Sequence, residues 1–209
     1  RDALEAARDQ VMAKWGRIDV LVNGAGGNMA GAVTKAETFE PGTELEDTFF
    51  GMDMNALEGV MNLNFDGSVL PTQVFADPMA KAESGCVLNI SSMATDRAIT
   101  KVAGYSAAKA AIENFTQWLA VHLAPAGVRV NAVAPGFFVT EQNRVLLMGE
   151  DGKSPTARAE KILRGTPFKR FGEADELIGA VNFLCSDDAA FVTGVTLAVD
   201  GGFSAYSGV

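Results

Sequence analysis

Tyr105 and Lys109 stand four positions apart in "GYSAAKAAI", a run otherwise built mostly from small residues. On a helix, positions i and i+4 share a face, so a phenol and an ammonium at this spacing can point into one cleft. A free phenol titrates near about 10 and is a poor proton carrier at neutral pH. A cation within a few ångströms favours the phenolate and draws that value down. The spacing alone describes an ordinary surface pair equally well. Ser92 changes the balance. It closes the apolar run "GCVLNISS", where a hydroxyl can donate to a substrate carbonyl and stabilise the charge that develops on it. Ser91 and Ser92 also suit a turn or a helix cap. Asn64, in "MNLNFDG", is either a helix-terminating residue ahead of Asp66-Gly67 or an amide that positions a water for proton transfer.

These residues need a scaffold. The chain has 209 residues, 48% hydrophobic and 21% charged, enough for one domain with a real core. A net charge of −9 argues against nucleic-acid or anionic-membrane partners, which require clustered Lys and Arg. No run approaches the roughly 18 apolar residues of a membrane-spanning helix. Cys86 and Cys185 sit in the apolar settings "CVLNI" and "NFLCS", the pattern of reduced, buried thiols in a cytoplasmic protein, with no disulfide or metal framework. His122, the sole histidine, has apolar neighbours and reads as a packing or interface residue.

Leu4, Ala7, Val11 and Trp15 recur at helical spacing, and Gly16 supplies a stop. Apolar runs at 18–22, 85–92, 128–136 and 195–202 read as strands, the first three of the kind buried on both faces. Residues 27–44 form a polar loop, 45–81 a long helical segment, 104–127 a strong helix, 140–165 a mobile helical lid or loop, and 173–186 a further helix. This alternation predicts an α/β fold: a doubly wound, mostly parallel sheet flanked by helices. Ligands bind beyond the carboxyl ends of such strands. Asn23 to Gly26, Ser91 with Ser92, and Pro135 with Gly136 all fall there.

Taken together, "VNGAGG", Asn64, "NISS", "YSAAK", "VNAVAPG" and the closing "VDGG" resemble the short-chain dehydrogenase/reductase family over essentially the whole chain. The resemblance implies a Rossmann-type domain that binds NAD or NADP. It implies Tyr105 as general acid/base, with Lys109 lowering its pKa and holding the ribose hydroxyls. Ser92 would polarise the substrate carbonyl and Asn64 would hold a relay water. Asn23, Gly24, Ala25 and Gly26 would pack on the adenosine side and support the sheet. Ile90, Pro135, Gly136 and Phe138 would line the cofactor, with Thr140 near its carboxamide or pyrophosphate. It further implies a homotetramer, consistent with the excess apolar surface of the helix at 104–124 and of the last segment.

The chain departs from the family pattern in three places. Gly24 stands where a second Asn is usual, the stretch between Gly26 and Asn64 is longer, and the opening glycine-rich turn is not in the chain. That turn and its strands would occupy about 60–70 residues ahead of Arg1. Residues 1–209 are therefore expected to be a single, N-terminally incomplete domain with a substrate lid at 140–170, an exposed edge at 18–22 and a poorly covered first helix. Gln142, Asn143 and Arg144 follow the third strand; amides suit sugar hydroxyls and a guanidinium suits a carboxylate. The same three residues could simply open an exposed lid helix. The wording around them is similar to the family's D-mannonate oxidoreductases, or fructuronate reductases. That implies a hexonate or hexuronate substrate, with Met93 also at the substrate. Alternatives are a 3-oxoacyl carrier-protein reductase, which calls for a basic patch not evident near these residues in sequence, another polyol or sugar dehydrogenase, and a non-catalytic nucleotide-binding scaffold. A scaffold has no reason to keep all four of Asn64, Ser92, Tyr105 and Lys109.

Overall fold

The four apolar runs become four parallel strands lying side by side in chain order: β1 (Val20–Asn23), β2 (Gly85–Ile90), β3 (Val128–Pro135) and β4 (Thr196–Val199). The structure, a computed structural model, describes residues 1–141, 143–149, 151 and 154–208. Side chains alternate between the faces of a strand, and β2 and β3 are mostly apolar because both faces are covered, with Asn89 and Asn131 as buried polar exceptions. Val87 and Val130 pack on one face against Ala76 and Met79 of α3 (Gly67–Lys81) and Leu119 of α4 (Ala103–Leu123). Leu88 and Val133 pack on the other against Leu184 of α7 (Ile178–Cys185). Each fully buried side chain of this size contributes roughly 1.5–3 kcal/mol. Helices on both faces match the sandwich read from the sequence.

β1 lies at the sheet's edge, with Val20 40% and Val22 48% exposed. The first helix, α1 (Asp2–Trp15), buries none of its residues and stops at Gly16, whose φ of 74° is one that glycine adopts without strain. Both features agree with the expected exposed edge and poorly covered helix. Residues 45–81 are helical but not uniform: two short 3-10 turns precede α2 (Met54–Met61), and a π-helical turn, Asn62–Asp66, links α2 to α3. Asn64 therefore terminates nothing; it sits inside a continuous helical path, fully buried. After β3 come α5 (Arg144–Met148) and α6 (Ala157–Gly165), where Leu147, Ala159 and Ile162 form a small core of their own with Phe137 and Phe171. A capping box between Glu173 and Glu176 opens the turn that leads into α7.

One expectation changes. Cys86 is buried, but Cys185 is only partly so, because it ends α7 where the helix leaves the sheet. The two unbridged thiols interact although 99 positions separate them, and burial pushes the Cys86 thiol up to about 11. His122 is not buried: its ring stacks on that of exposed Trp118 at 4.8 Å, since both lie on the outer face of α4. Among the described residues no helix is long and apolar enough to cross a membrane.

A buried polar ladder ties the strand ends to the helices. The Asn23 side-chain amide donates to Thr72 of α3 and to Asn89, its register partner on β2, both at 2.8 Å. The Asn89 amide in turn donates to Thr116 of α4, also at 2.8 Å. Buried polar groups are costly when left unpaired. Asn89→Leu is expected to lower stability by about 2–3 kcal/mol in urea unfolding; a loss below about 0.5 kcal/mol would show that the ladder does not couple β1 to the core.

Candidate active site

Three strand ends converge. The turn after β1, the residues after β2 and those after β3 border one cleft of about 610 Å³, joined by Tyr105 and Lys109 from the start of α4. The chain leaving β2 loops back into α4, so the end of β2 and the first turns of α4 must face each other. The cleft results from that crossover.

The two serines part company. Ser91 donates to the Glu113 carboxylate at 2.6 Å, with Thr95 donating to the same oxygen at 2.8 Å, so Ser91 braces the loop against α4. Ser92 borders the cleft, while its oxygen also accepts from the Ala94 N–H at 3.2 Å. The turn reading applies to Ser92, which also borders the cleft, whereas Ser91 is neither turn nor cap but a brace.

Lys109 is 3% exposed, and its ammonium donates to the Ile90 carbonyl at 2.7 Å. Burial draws its pKa down to about 8. Asn64 lies behind the cleft wall. Its amide donates to the carbonyls of Gly27 and Val60, each at 2.8 Å, and its oxygen accepts from the Gly27 N–H at 3.2 Å. Gly26 packs between the two side chains: a Cβ there would come 2.7 Å from Asn64 Oδ1 and 3.0 Å from Lys109 Nζ. Only glycine lets this turn approach so closely.

The Tyr105 phenol departs from expectation. Burial raises its pKa, and the nearby Ser92 hydroxyl opposes that rise. The Lys109 ammonium sits 5.7 Å from the Tyr105 ring centre, and desolvation of the phenol is the main cause of the rise. Helical spacing placed the pair on one face but could not show that the cation would face Ile90.

Of the proposed cofactor residues, Gly24, Gly26, Ile90, Tyr105, Lys109, Pro135, Gly136, Phe138 and Thr140 border the cleft. Asn23 points into the sheet as part of the polar ladder, and exposed Ala25 does not border the cleft. Of the substrate candidates, Met93 and Asn143 border it, but the Asn143 side chain closes its own loop, donating to the Phe138 carbonyl at 2.7 Å and accepting from the Thr140 N–H at 2.8 Å. Arg144 is exposed on α5 and away from the cleft, and Gln142 lies outside the described residues. Sequence reasoning missed Ile99, Val102, Leu177 and Arg158, all of which border the cleft. It also missed a basic cluster beside the cleft: Lys161 binds Glu37 at 2.7 Å, Arg158 stands 3.9 Å away, and Lys101 acts on the same carboxylate. Arg158 and Lys161 share α6, but Lys101 and Glu37 come from segments far away in sequence, so the cluster forms only in the fold.

A family model described as enoyl-(acyl carrier protein) reductase matches residues 1–204. An uncharacterized oxidoreductase of Bacillus subtilis (strain 168), UxuB, is 49% identical over 210 residues, covering 100% of this chain and 75% of the relative. The chain belongs to the short-chain dehydrogenase/reductase family. Two solved members of the family share its fold. One, from Haemophilus influenza, carries bound NAD and the provisional assignment D-mannonate oxidoreductase; it is 51% identical, with a TM-score of 0.91 over 99% of this chain and 74% of its own. The other is a gluconate 5-dehydrogenase from Burkholderia cenocepacia J2315 in complex with NADP and tartrate, 33% identical, with a TM-score of 0.79 over 97% of this chain and 71% of its own.

The buried ammonium makes a measurable prediction. Lys109 loses its proton near 8 when folded and near 10.5 when unfolded. Between those values the unfolded chain holds more protons, so stability rises with pH. From pH 7 to pH 10 the wild type should gain on the order of 2–3 kcal/mol relative to Lys109→Met in urea unfolding. A difference that stays constant with pH would mean that the ammonium is not desolvated.

Proposed function

We propose that this oxidoreductase interconverts a carbonyl and a secondary alcohol on a sugar acid of the D-fructuronate/D-mannonate type, using NAD or NADP. The observation that carries the reading is the meeting of Ser92, Tyr105 and Lys109 at one cleft, from two elements that the crossover forces together. The bare main chain at Gly26, too close to Lys109 and Asn64 for any Cβ, supports a cofactor lying against this turn, with Ile90, Pro135, Gly136, Phe138 and Thr140 beside it. The dinucleotide, when bound, supplies or accepts the hydride. In the reductive direction the Ser92 hydroxyl donates to the substrate carbonyl oxygen, and the Tyr105 phenol passes its proton to that oxygen, so C=O becomes CH–OH. Burial keeps the resting phenol protonated, the form an acid needs. In oxidation the phenolate takes the alcohol proton. Lys109 favours that phenolate and offers its N–H groups to the ribose hydroxyls, and Asn64 holds the turn, its side-chain amide being spent on Gly27 and Val60 rather than on a relay water.

The sugar-acid assignment rests on the relatives assigned to D-mannonate and gluconate. The same reading treats residues 1–209 as one dinucleotide-binding domain with a lid at 140–170. It also includes a homotetramer, supported by the exposure of Trp118 and Val121 on α4 and of Ile178 and Phe183 on α7. A second reading, a carrier-protein reductase, draws support from the basic cluster of Lys101, Arg158 and Lys161 and from the family model's description.

Tyr105→Phe should lower kcat for D-fructuronate reduction about 10²- to 10⁴-fold while NADH still binds. Turnover that survives loss of the phenol would sink the mechanism. Wild-type activity on a 3-oxoacyl carrier thioester without activity on hexuronates would favour the second reading.

A further inference from the structure

The chain carries a net charge of −9, yet among the described residues bordering the cleft there is no Asp or Glu. Two cations border it, Lys109 near the strand ends and Arg158 in the first turn of α6. Lys109 is engaged with the Ile90 carbonyl. Arg158 is held more loosely. Its guanidinium reaches Thr100 Oγ1 at 3.3 Å and the Thr100 carbonyl at 3.4 Å, at the long end of hydrogen bonding. Glu37 stands 3.9 Å away, and its carboxylate is engaged by Lys161 at 2.7 Å. Thr100 and Glu37 thus orient the planar fork without closing on it. Lys161 screens the Glu37 carboxylate, which would otherwise repel an anion, and Lys101 adds a further positive charge. The Arg158 side chain is 29% exposed, shielded from bulk water yet open to a ligand in the cleft.

We propose that Arg158 receives the substrate carboxylate and selects sugar acids over neutral polyols, an assignment that rests on the sugar-acid reading above. A guanidinium matches a carboxylate through two parallel N–H···O bonds, which fixes orientation as well as charge. In a hexonate the carboxylate lies toward the far end of the carbon chain from the reacting carbinol, so its partner must stand across the cleft from Tyr105. Arg158, from α6, and Tyr105, from α4, reach the same cleft from different elements, the one to meet the carboxylate and the other the reacting oxygen. Arg158 is anchored to Thr100, in the loop whose Ile99 and Val102 border the same cleft just ahead of Tyr105. The carboxylate role suggested by sequence for Arg144 passes to Arg158.

The test uses the intact enzyme and a matched pair of substrates: D-fructuronate and D-fructose, in which CH2OH replaces the carboxylate. The measured quantity is the preference ratio of their kcat/KM values. Arg158→Gln should lower this ratio about 10- to 100-fold, mainly through a higher KM for D-fructuronate. Arg158→Lys should recover part of it, keeping the charge but losing the fork. Thermal unfolding of both variants close to that of wild type would separate the effect from misfolding. Equal losses on the two substrates, or no change in the ratio, would overturn the role of Arg158 and leave the sugar-acid reading standing. A wild type that turns over no hexuronate would overturn both.

Discussion

An ammonium almost sealed from water beneath three strand ends dictates much of this architecture. Lys109 carries its charge on α4 into a site 3% exposed, where burial disfavours that charge, and the Ile90 carbonyl is the protein acceptor it meets. The backbone at Gly26 comes so near the ammonium that a single methyl group would collide with it and with Asn64. Asn64 in turn pins Gly27 from inside a π turn, the kind of helical irregularity found often at functional sites. Strand end, helix interior and helix start are thus interlocked through a glycine, an asparagine and a lysine. This tolerates a group that weakens the fold, a familiar compromise between stability and activity.

The phenol above it is set by the same burial. Desolvation pushes the phenol up and the Ser92 hydroxyl pulls it down, and here desolvation wins, while the ammonium turns toward Ile90. The resting site therefore holds both groups in protonated form at neutral pH, with the Ser92 hydroxyl beside the phenol. Such an arrangement is suited to giving a proton to a carbonyl oxygen. On the far side the electrostatics come from three cations gathered around Glu37, a positive rim on an acidic chain. Long side chains from the loop carrying Glu37 and from α6 meet there, tying that loop to α6.

Much of this was legible in the residues alone. Apolar runs bounded by glycines announced the strands, and helical spacing announced α4 with Tyr105 and Lys109 on one face; both are local patterns set by backbone periodicity. The rule that ligands sit beyond strand carboxyl ends then placed Ser92, Gly26 and Pro135 together without further information. Where a side chain points after its strand ends is a different matter. Ser91 and Ser92 are identical in type and adjacent, and only the packing of Glu113 against the loop decides which one braces and which one faces the cleft. Asn23, expected from the resemblance both to pack on the cofactor and to support the sheet, does the second through Thr72 and Asn89, 49 and 66 positions away. Arg158 and Lys161 share one face of α6 at i,i+3 spacing, but their meeting with Glu37, more than 120 positions away, is fixed only by the tertiary fold. Periodicity, turn chemistry and residue type were written in the chain; direction, burial and the balance of charges arose only when the chain closed on itself, because desolvation and Coulomb energies depend on distances that sequence does not encode locally.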